Sequence, residues 1–378
     1  MTIANCGLIC YICDMKHLRT IFFAVAIVFV VMFMAACQGA DANSGADDSI
    51  VVPKPVTTDT VRLIFGGDLM QHIPQINAAR KAGGGFDYTR SFQYVAPIFR
   101  DADIAVINLE TTLTTRGDYS GYPRFAAPVE LADAMVDMGI DIVLLANNHC
   151  CDRGARGIDT TIEQLSARGM AHTGAFTGDE DRSQNNVIYF ECKGVRFALI
   201  NYTYGTNGLP VPQGKRVNII DKDRIISDIS TINRDSVDCL IACMHWGIEY
   251  QRKPNAEQKS LAQLLKLHGV DVIIGSHPHV VQRYEQSEDG VVFYSLGNFV
   301  SNQRKRYTNG GLIAEVNIVR CDTVPQLQYS ANAHPAQVVM PGYRIVPKSV
   351  GDTLKMSSDA RAVYNVFMRD TEQLLGVK

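Results

Sequence analysis

The stretch Asp141-Ile142-Val143-Leu144-Leu145-Ala146-Asn147-Asn148-His149-Cys150-Cys151-Asp152 decides how this chain is read. Its apolar part, Ile142 to Ala146, is short and rich in β-branched and aliphatic residues, the pattern of a strand buried on both faces. It then stops abruptly in two amides and an imidazole. In open α/β sheets the carboxyl ends of the strands are where ligands bind. The same arrangement recurs along the chain. Apolar runs end in Gly66-Gly67-Asp68, Asn108-Leu109-Glu110, Met244-His245-Trp246, Gly275-Ser276-His277-Pro278-His279 and Ser295-Leu296-Gly297-Asn298. Six strand ends therefore deliver Asp, Glu, Asn or His to one rim.

Working outward, Glu130 to Met138 and Gly157 to Arg168 read as amphipathic helices, stopped by Gly139 and Gly169. Asp221 to Asn233, Asn255 to His268 and Ser358 to Leu375 are further helices. Strands are expected at Val61–Gly67, Ala102–Leu109, Cys239–His245, Val270–Ile274 and Val291–Ser295, with more at Gly311–Val319 and Gln337–Val346. Asn186–Glu191 and Val195–Asn201 form a hairpin across Lys193-Gly194. Helices alternating with buried strands, together with a hairpin, give a mixed α/β architecture. Thr111 to Ala127 is a long excursion of the functional or disordered kind.

The 378 residues carry a net charge of −3, and 46% are hydrophobic. A sizeable core is available, and the basic stripe that nucleic-acid binding needs is absent. Ile21 to Ala36 is an apolar run preceded by Lys16 and Arg19, too short for a membrane span of about 20 residues. It has the order of an export signal. Met34-Ala35-Ala36-Cys37 resembles a lipobox, with Cys37 as the lipidated residue and Met15 as a natural start. The expected organisation is a signal segment at 1–37, a flexible linker at 38–60, a main domain at 61–302, and C-terminal strands and a helix at 303–378 that complete it. Of the ten cysteines, Cys239 and Cys243 lie too far apart along a strand to bridge, and free thiols are expected in the domain.

The rim offers Asp68, Glu110, Asn148, His245, His277 and His279, oxygen and imidazole donors with no thiolate. That mixture suits one or two divalent ions such as Mn, Zn or Fe. A bridging carboxylate such as Glu110 would serve a dinuclear centre. Asn147, Trp246, Glu249, Asn298 and His72 are candidates to line the site. His172 and His268 are read as ordinary surface or helix-end residues.

The order of these motifs, from Val61 to Asn302, resembles the CapA (PgsA-like) capsule-synthesis proteins of the calcineurin-like metallophosphoesterase superfamily. Asn201 to Gly208 is similar to a further segment of that family. The resemblance implies a four-layer fold, a mixed β-sandwich flanked by helices. It implies that Asp68, Glu110 and His279 hold one metal, that Glu110, Asn148, His245 and His277 hold the other, and that His149 with Asn148 carries the catalysis, His149 as general acid or as stabiliser of the leaving group. The superfamily's first motif is Asp-x-His; here Met70 takes the place of that histidine. The resemblance further implies a membrane-anchored envelope lipoprotein in capsule or poly-γ-glutamate synthesis or export. Its partners would be an anionic polymer, or a phosphoester or amide substrate, the membrane, and other capsule-synthesis subunits. Two alternatives stand beside a metal-dependent hydrolase or transferase. One is a non-catalytic assembly subunit with a structural metal. The other is a binding lipoprotein that stacks ligands on Trp246, Tyr202 and Tyr204.

Overall fold

The computed structural model describes residues 58–288 and 290–376. The expected signal segment, Cys37 and nearly all of the linker lie outside the described residues. Two sheets face each other. The larger has the strand order Arg344–Pro347, Val324–Val339, Gly310–Cys321, Thr58–Leu69, Ile104–Leu109, Ile142–Leu144, Ala171–Thr173, with Asn298–Val300 also paired to Thr58–Leu69. The smaller runs Tyr284–Ser287, Gly290–Phe293, Val272–Ser276, Cys239–His245, Val195–Thr203, Ile188–Cys192.

Strand periodicity sorts the core into layers. Val61, Leu63 and Phe65 alternate with Ile64. The first three meet Phe197, Leu199, Ile241 and Val272 of the facing sheet, whereas Ile64 packs outward against Phe99 and Met135 under the helices. A third apolar cluster joins Ile200, Leu240 and Ile273 to Ile225 and Leu265 of the helices Lys222–Ser230 and Ala256–Leu267. The result is four layers, helix on sheet on sheet on helix, in which the central strands of each sheet are buried on both faces. The Glu130–Met138 helix ends at Gly139 in the left-handed conformation, φ 95°, as its sequence signal indicates.

The chain past residue 302 extends the larger sheet, since Gly310–Cys321 pairs antiparallel with Thr58–Leu69. Here the expected strand Gln337–Val346 is corrected. It is the end of the 16-residue strand Val324–Val339 and the start of Arg344–Pro347, joined by a turn. The Gly67 backbone packs against the strand-end loop at Gly297, where a Cβ would lie 2.1 Å from the Gly297 carbonyl oxygen. Only glycine allows that approach, and it sets Asp68, whose N–H donates to the same carbonyl at 3.0 Å.

Candidate metal centre

The strand ends of both sheets converge at one edge of the sandwich. Asp68, Glu110 and Asn148 come from the larger sheet, and His245, His277 and His279 from the smaller. One sheet thus supplies oxygen and the other imidazole. All six are buried. Ligand atoms of Asp68, Glu110 and His279 lie within 4.8 Å of one another, as do those of Glu110, His245 and His277. Glu110 belongs to both groups. Its Oε1 is 3.7 Å from Nε2 of His245 and 3.8 Å from Nε2 of His279. Asn148 joins the second group through Oδ1, 2.8 Å from Nε2 of His245. These are the two groupings the family resemblance implies.

The cluster tests whether a metal fits. Both carboxylate oxygens of Glu110 and Nδ1 of His277 are buried with no hydrogen-bond partner. A buried carboxylate without donors is costly, and a divalent cation between the two groups would satisfy it. Burial, and then the negative charge of Asp68, raises the Glu110 carboxyl well above the usual carboxylate range. Burial, and then the neighbouring imidazoles, pushes His245 well below its ordinary value and His277 down to about 3. His245 and His277 are therefore neutral donors. The residues present fit one or two divalent ions held by nitrogen and oxygen.

Neighbouring side chains hold these donors in place. Asn108 donates to Oδ1 of Asp68 at 2.9 Å. Asn147 donates to the Leu109 carbonyl and accepts from the His149 N–H, so it braces the loop rather than facing the donors. Asn298 pairs in register with Asp68 and donates to the Thr308 carbonyl, tying down the 301–308 loop. Backbone strain marks the site. His277 and His279 have φ of 98° and 58°, a region that L-residues rarely adopt.

His149 stands beside the donors without joining either group. Its Nδ1 is 2.7 Å from Oδ2 of Asp152, which also accepts the Phe125 N–H at 2.7 Å. The carboxylate can only accept, so Nδ1 carries the proton. Nε2 faces Nδ2 of Asn207 at 3.5 Å. Glu249 is exposed and comes within ligand distance of His277 and His279.

Several sequence expectations are corrected. Trp246 does not line the site: it is buried, donates from Nε1 to the Tyr294 carbonyl at 2.9 Å and packs in the third core cluster. Strand alternation forces this, because His245 faces the donors. Tyr202 is also core, its hydroxyl bonded to Asp228. Tyr204 remains at the site, its ring 4.4 Å from that of His277. His172 is no surface residue but a buried member of the strand Ala171–Thr173. His72 is not among the donors; it sits edge-on to Phe125 at 5.0 Å, and Phe125 in turn is 4.6 Å from His149. Met70 is buried and supplies no imidazole. Asp152 and Asn207 were missed as site residues.

The sequence profile of a family described as "Bacterial capsule synthesis protein PGA_cap" matches residues 62–303. The chain belongs to this family. It is 26% identical over 325 residues to the capsule biosynthesis protein CapA of Bacillus anthracis, covering 82% of this chain and 77% of that protein. It is 28% identical over 315 residues to the PGA biosynthesis protein CapA of Bacillus subtilis (strain 168), covering 82% and 79%. Among solved structures, the Haemophilus influenzae NAD nucleotidase NadN aligns with 83% of this chain at 9% identity and a TM-score of 0.47. The chain spans 63% of that protein, less than two thirds of its length. Membership places the chain in a capsule and poly-γ-glutamate synthesis family.

Proposed function

We propose that this protein is a metal-dependent hydrolase or transferase that acts on an amide or phosphoester bond of an anionic envelope polymer. The observation that carries the reading is Glu110, whose two buried, unpartnered oxygens stand between two groups of donors. Divalent ions there would supply Lewis acidity toward the scissile group and a nucleophile at neutral pH. Asp68, Glu110 and His279 would hold one ion, and Glu110, Asn148, His245 and His277 the other.

The chain's own residues then manage the proton. Asp152 keeps His149 oriented with Nδ1 protonated, so Nε2, the acceptor of this tautomer, takes a proton from the attacking nucleophile and then passes it to the leaving group. Asn207 fixes the open side of that ring, because its Oδ1 accepts from Asn148 at 3.1 Å and so turns its Nδ2 toward Nε2. Tyr204 packs on His277 and restricts the approach of water from that side. Lys305 lies over the Tyr250 ring at 4.3 Å, and Tyr250 is a neighbour of His279, so a cation borders the donors where an anionic substrate would enter.

We further propose lipid attachment at Cys37, which would hold the domain at the envelope membrane. The order of charged, apolar and small residues before Cys37 supports it. A Cys37→Ala variant that stays in the membrane fraction counts against it.

The test is elemental analysis of the purified protein beside His277→Ala, with phosphodiester and γ-glutamyl amide cleavage measured on the same samples. About two ions per chain, lost together with turnover in the variant, are expected of a dinuclear centre. Turnover that persists without metal overturns the reading. A second reading, an assembly subunit that keeps a structural metal, is favoured by Met70, which leaves the Asp68 group one imidazole short. It predicts one bound ion and no turnover.

A further inference from the structure

A separate cavity of about 320 Å³ opens behind the His149–Asp152 pair. Its wall holds Arg116, Arg124, Arg153 and Arg156 against only two acids, Asp118 and Asp152. Arg153 is paired with Asp118, which also accepts the Thr114 hydroxyl. Among the described residues Arg116, Arg124 and Arg156 have no carboxylate partner, so three arginines of this wall, all exposed to solvent, carry unpaired charge. Like charges gathered in this way raise the local positive potential and draw anions.

The backbone adds to that field. The 13-residue helix Gly154–Ser166 begins in the cavity wall, with no side-chain cap and no acid in its first turn. Its N-terminal end carries partial positive charge. Asp152 forms the floor. Its Oδ2 is engaged by His149 and by the Phe125 N–H, so it is held toward the metal side. A ligand in the cavity therefore sits one side chain away from the proposed proton donor.

We infer that this arginine-lined cavity is an oxyanion subsite that takes one carboxylate or phosphate group. Guanidinium forks match both groups in bidentate geometry. The volume lies at the small end of ligand pockets, roughly 300–1,000 Å³, and suits one repeat unit and not a long segment. The group arrives either on the polymer, as the carboxylate next along from the bond at the metal centre, or as a free small anion. The polymeric source rests on the proposed function; the subsite itself does not.

The experiment is calorimetric titration at low salt with a γ-linked glutamate oligomer and, separately, inorganic phosphate. The proteins are wild type, Arg116→Gln/Arg156→Gln and His277→Ala. Neither substituted guanidinium makes a hydrogen bond among the described residues, so the double variant should fold, and its melting temperature checks this. Oligomer affinity is expected to fall about tenfold or more in the double variant with metal content unchanged. A fall for phosphate alone supports the subsite and assigns it to a free anion. Unchanged binding of both anions, or no binding by the wild type, overturns it. Arginine-dependent binding that survives in metal-free His277→Ala separates this inference from failure of the metal-centre reading.

Discussion

Nδ1 of His149 lies 2.7 Å from Oδ2 of Asp152, and both side chains are buried. The two residues are three positions apart, in the turn that follows the strand Ile142–Leu144. Asp152 also accepts the Phe125 N–H, so one carboxylate fixes the imidazole and an excursion from another part of the chain.

Asp152→Asn removes the obligatory acceptor and lets the amide donate to Nδ1, which moves the imidazole proton to Nε2 and stops that nitrogen from taking one up from the nucleophile. Turnover should fall roughly 10²-fold or more, the scale of a lost general acid. KM and metal content should stay near wild type, because neither residue is a donor. Steady-state kinetics and elemental analysis check this, and a variant that loses metal in step with activity would assign Asp152 to the metal centre instead.

Glu110→Gln keeps the shape of the side chain and removes its titratable carboxyl. In the metal-free protein the two oxygens have no partner, so the neutral amide should leave the melting temperature unchanged or higher. With Mn or Zn added, wild type should gain stability by ligand linkage, and Glu110→Gln should lose most of that gain. Thermal denaturation with and without metal decides it. An equal gain in both proteins would place the ion elsewhere.

The sandwich and most of the rim were legible in sequence because buried parallel strands are continuous apolar runs, and a polar residue that ends one is conspicuous. Cys239–His245 and Ser358–Leu375 match their expected bounds. The long strand Val324–Val339 was hidden by its half-exposed alternation, with Gln326, Gln328, Ser330 and Asn332 between Leu327, Tyr329 and Ala331, and by Pro335, which argues against a strand interior. Asn207 was illegible for a different reason. It reaches His149 from 58 residues away on a turn with φ 52°, and no local pattern announces that approach. Trp246 was recoverable, since a residue adjacent to an inward-facing strand histidine must face the other way.

The positive φ of His277 makes a further prediction. At 98° a Cβ is strained and glycine is not. His277→Ala and His277→Gly both remove the imidazole and leave the same kind of gap. The glycine variant should nevertheless be more stable than the alanine variant, by about 1 kcal/mol. Urea denaturation of the two metal-free variants measures the difference. Alanine as stable as glycine would mean that the backbone relaxes once the imidazole is gone.

The pH dependence of the metal-free protein follows from buried and half-buried groups whose effects oppose one another. His277 titrates at about 3 when folded, against 6.5 ordinarily, and His72 at about 4. His245 and His172 are shifted in the same direction by burial. Between each folded value and 6.5 the unfolded chain binds a proton that the folded chain does not. Stability therefore rises with pH across that window and is lost on acidification. Glu110 acts in the opposite sense. Its folded value lies above 4.5, so the folded chain holds a proton that the unfolded chain has released, and stability falls as pH rises through that range. Four imidazoles, against Glu110 and the raised Asp271, give a net loss as pH falls from 7 to 5, at up to about 1.4 kcal/mol per pH unit for each unbalanced proton. The urea midpoint of the metal-free protein should drop over that interval. His72→Asn should flatten the slope without touching a donor, since His72 lies outside both ligand groups. A midpoint that rises on acidification would show that Glu110 outweighs the histidines.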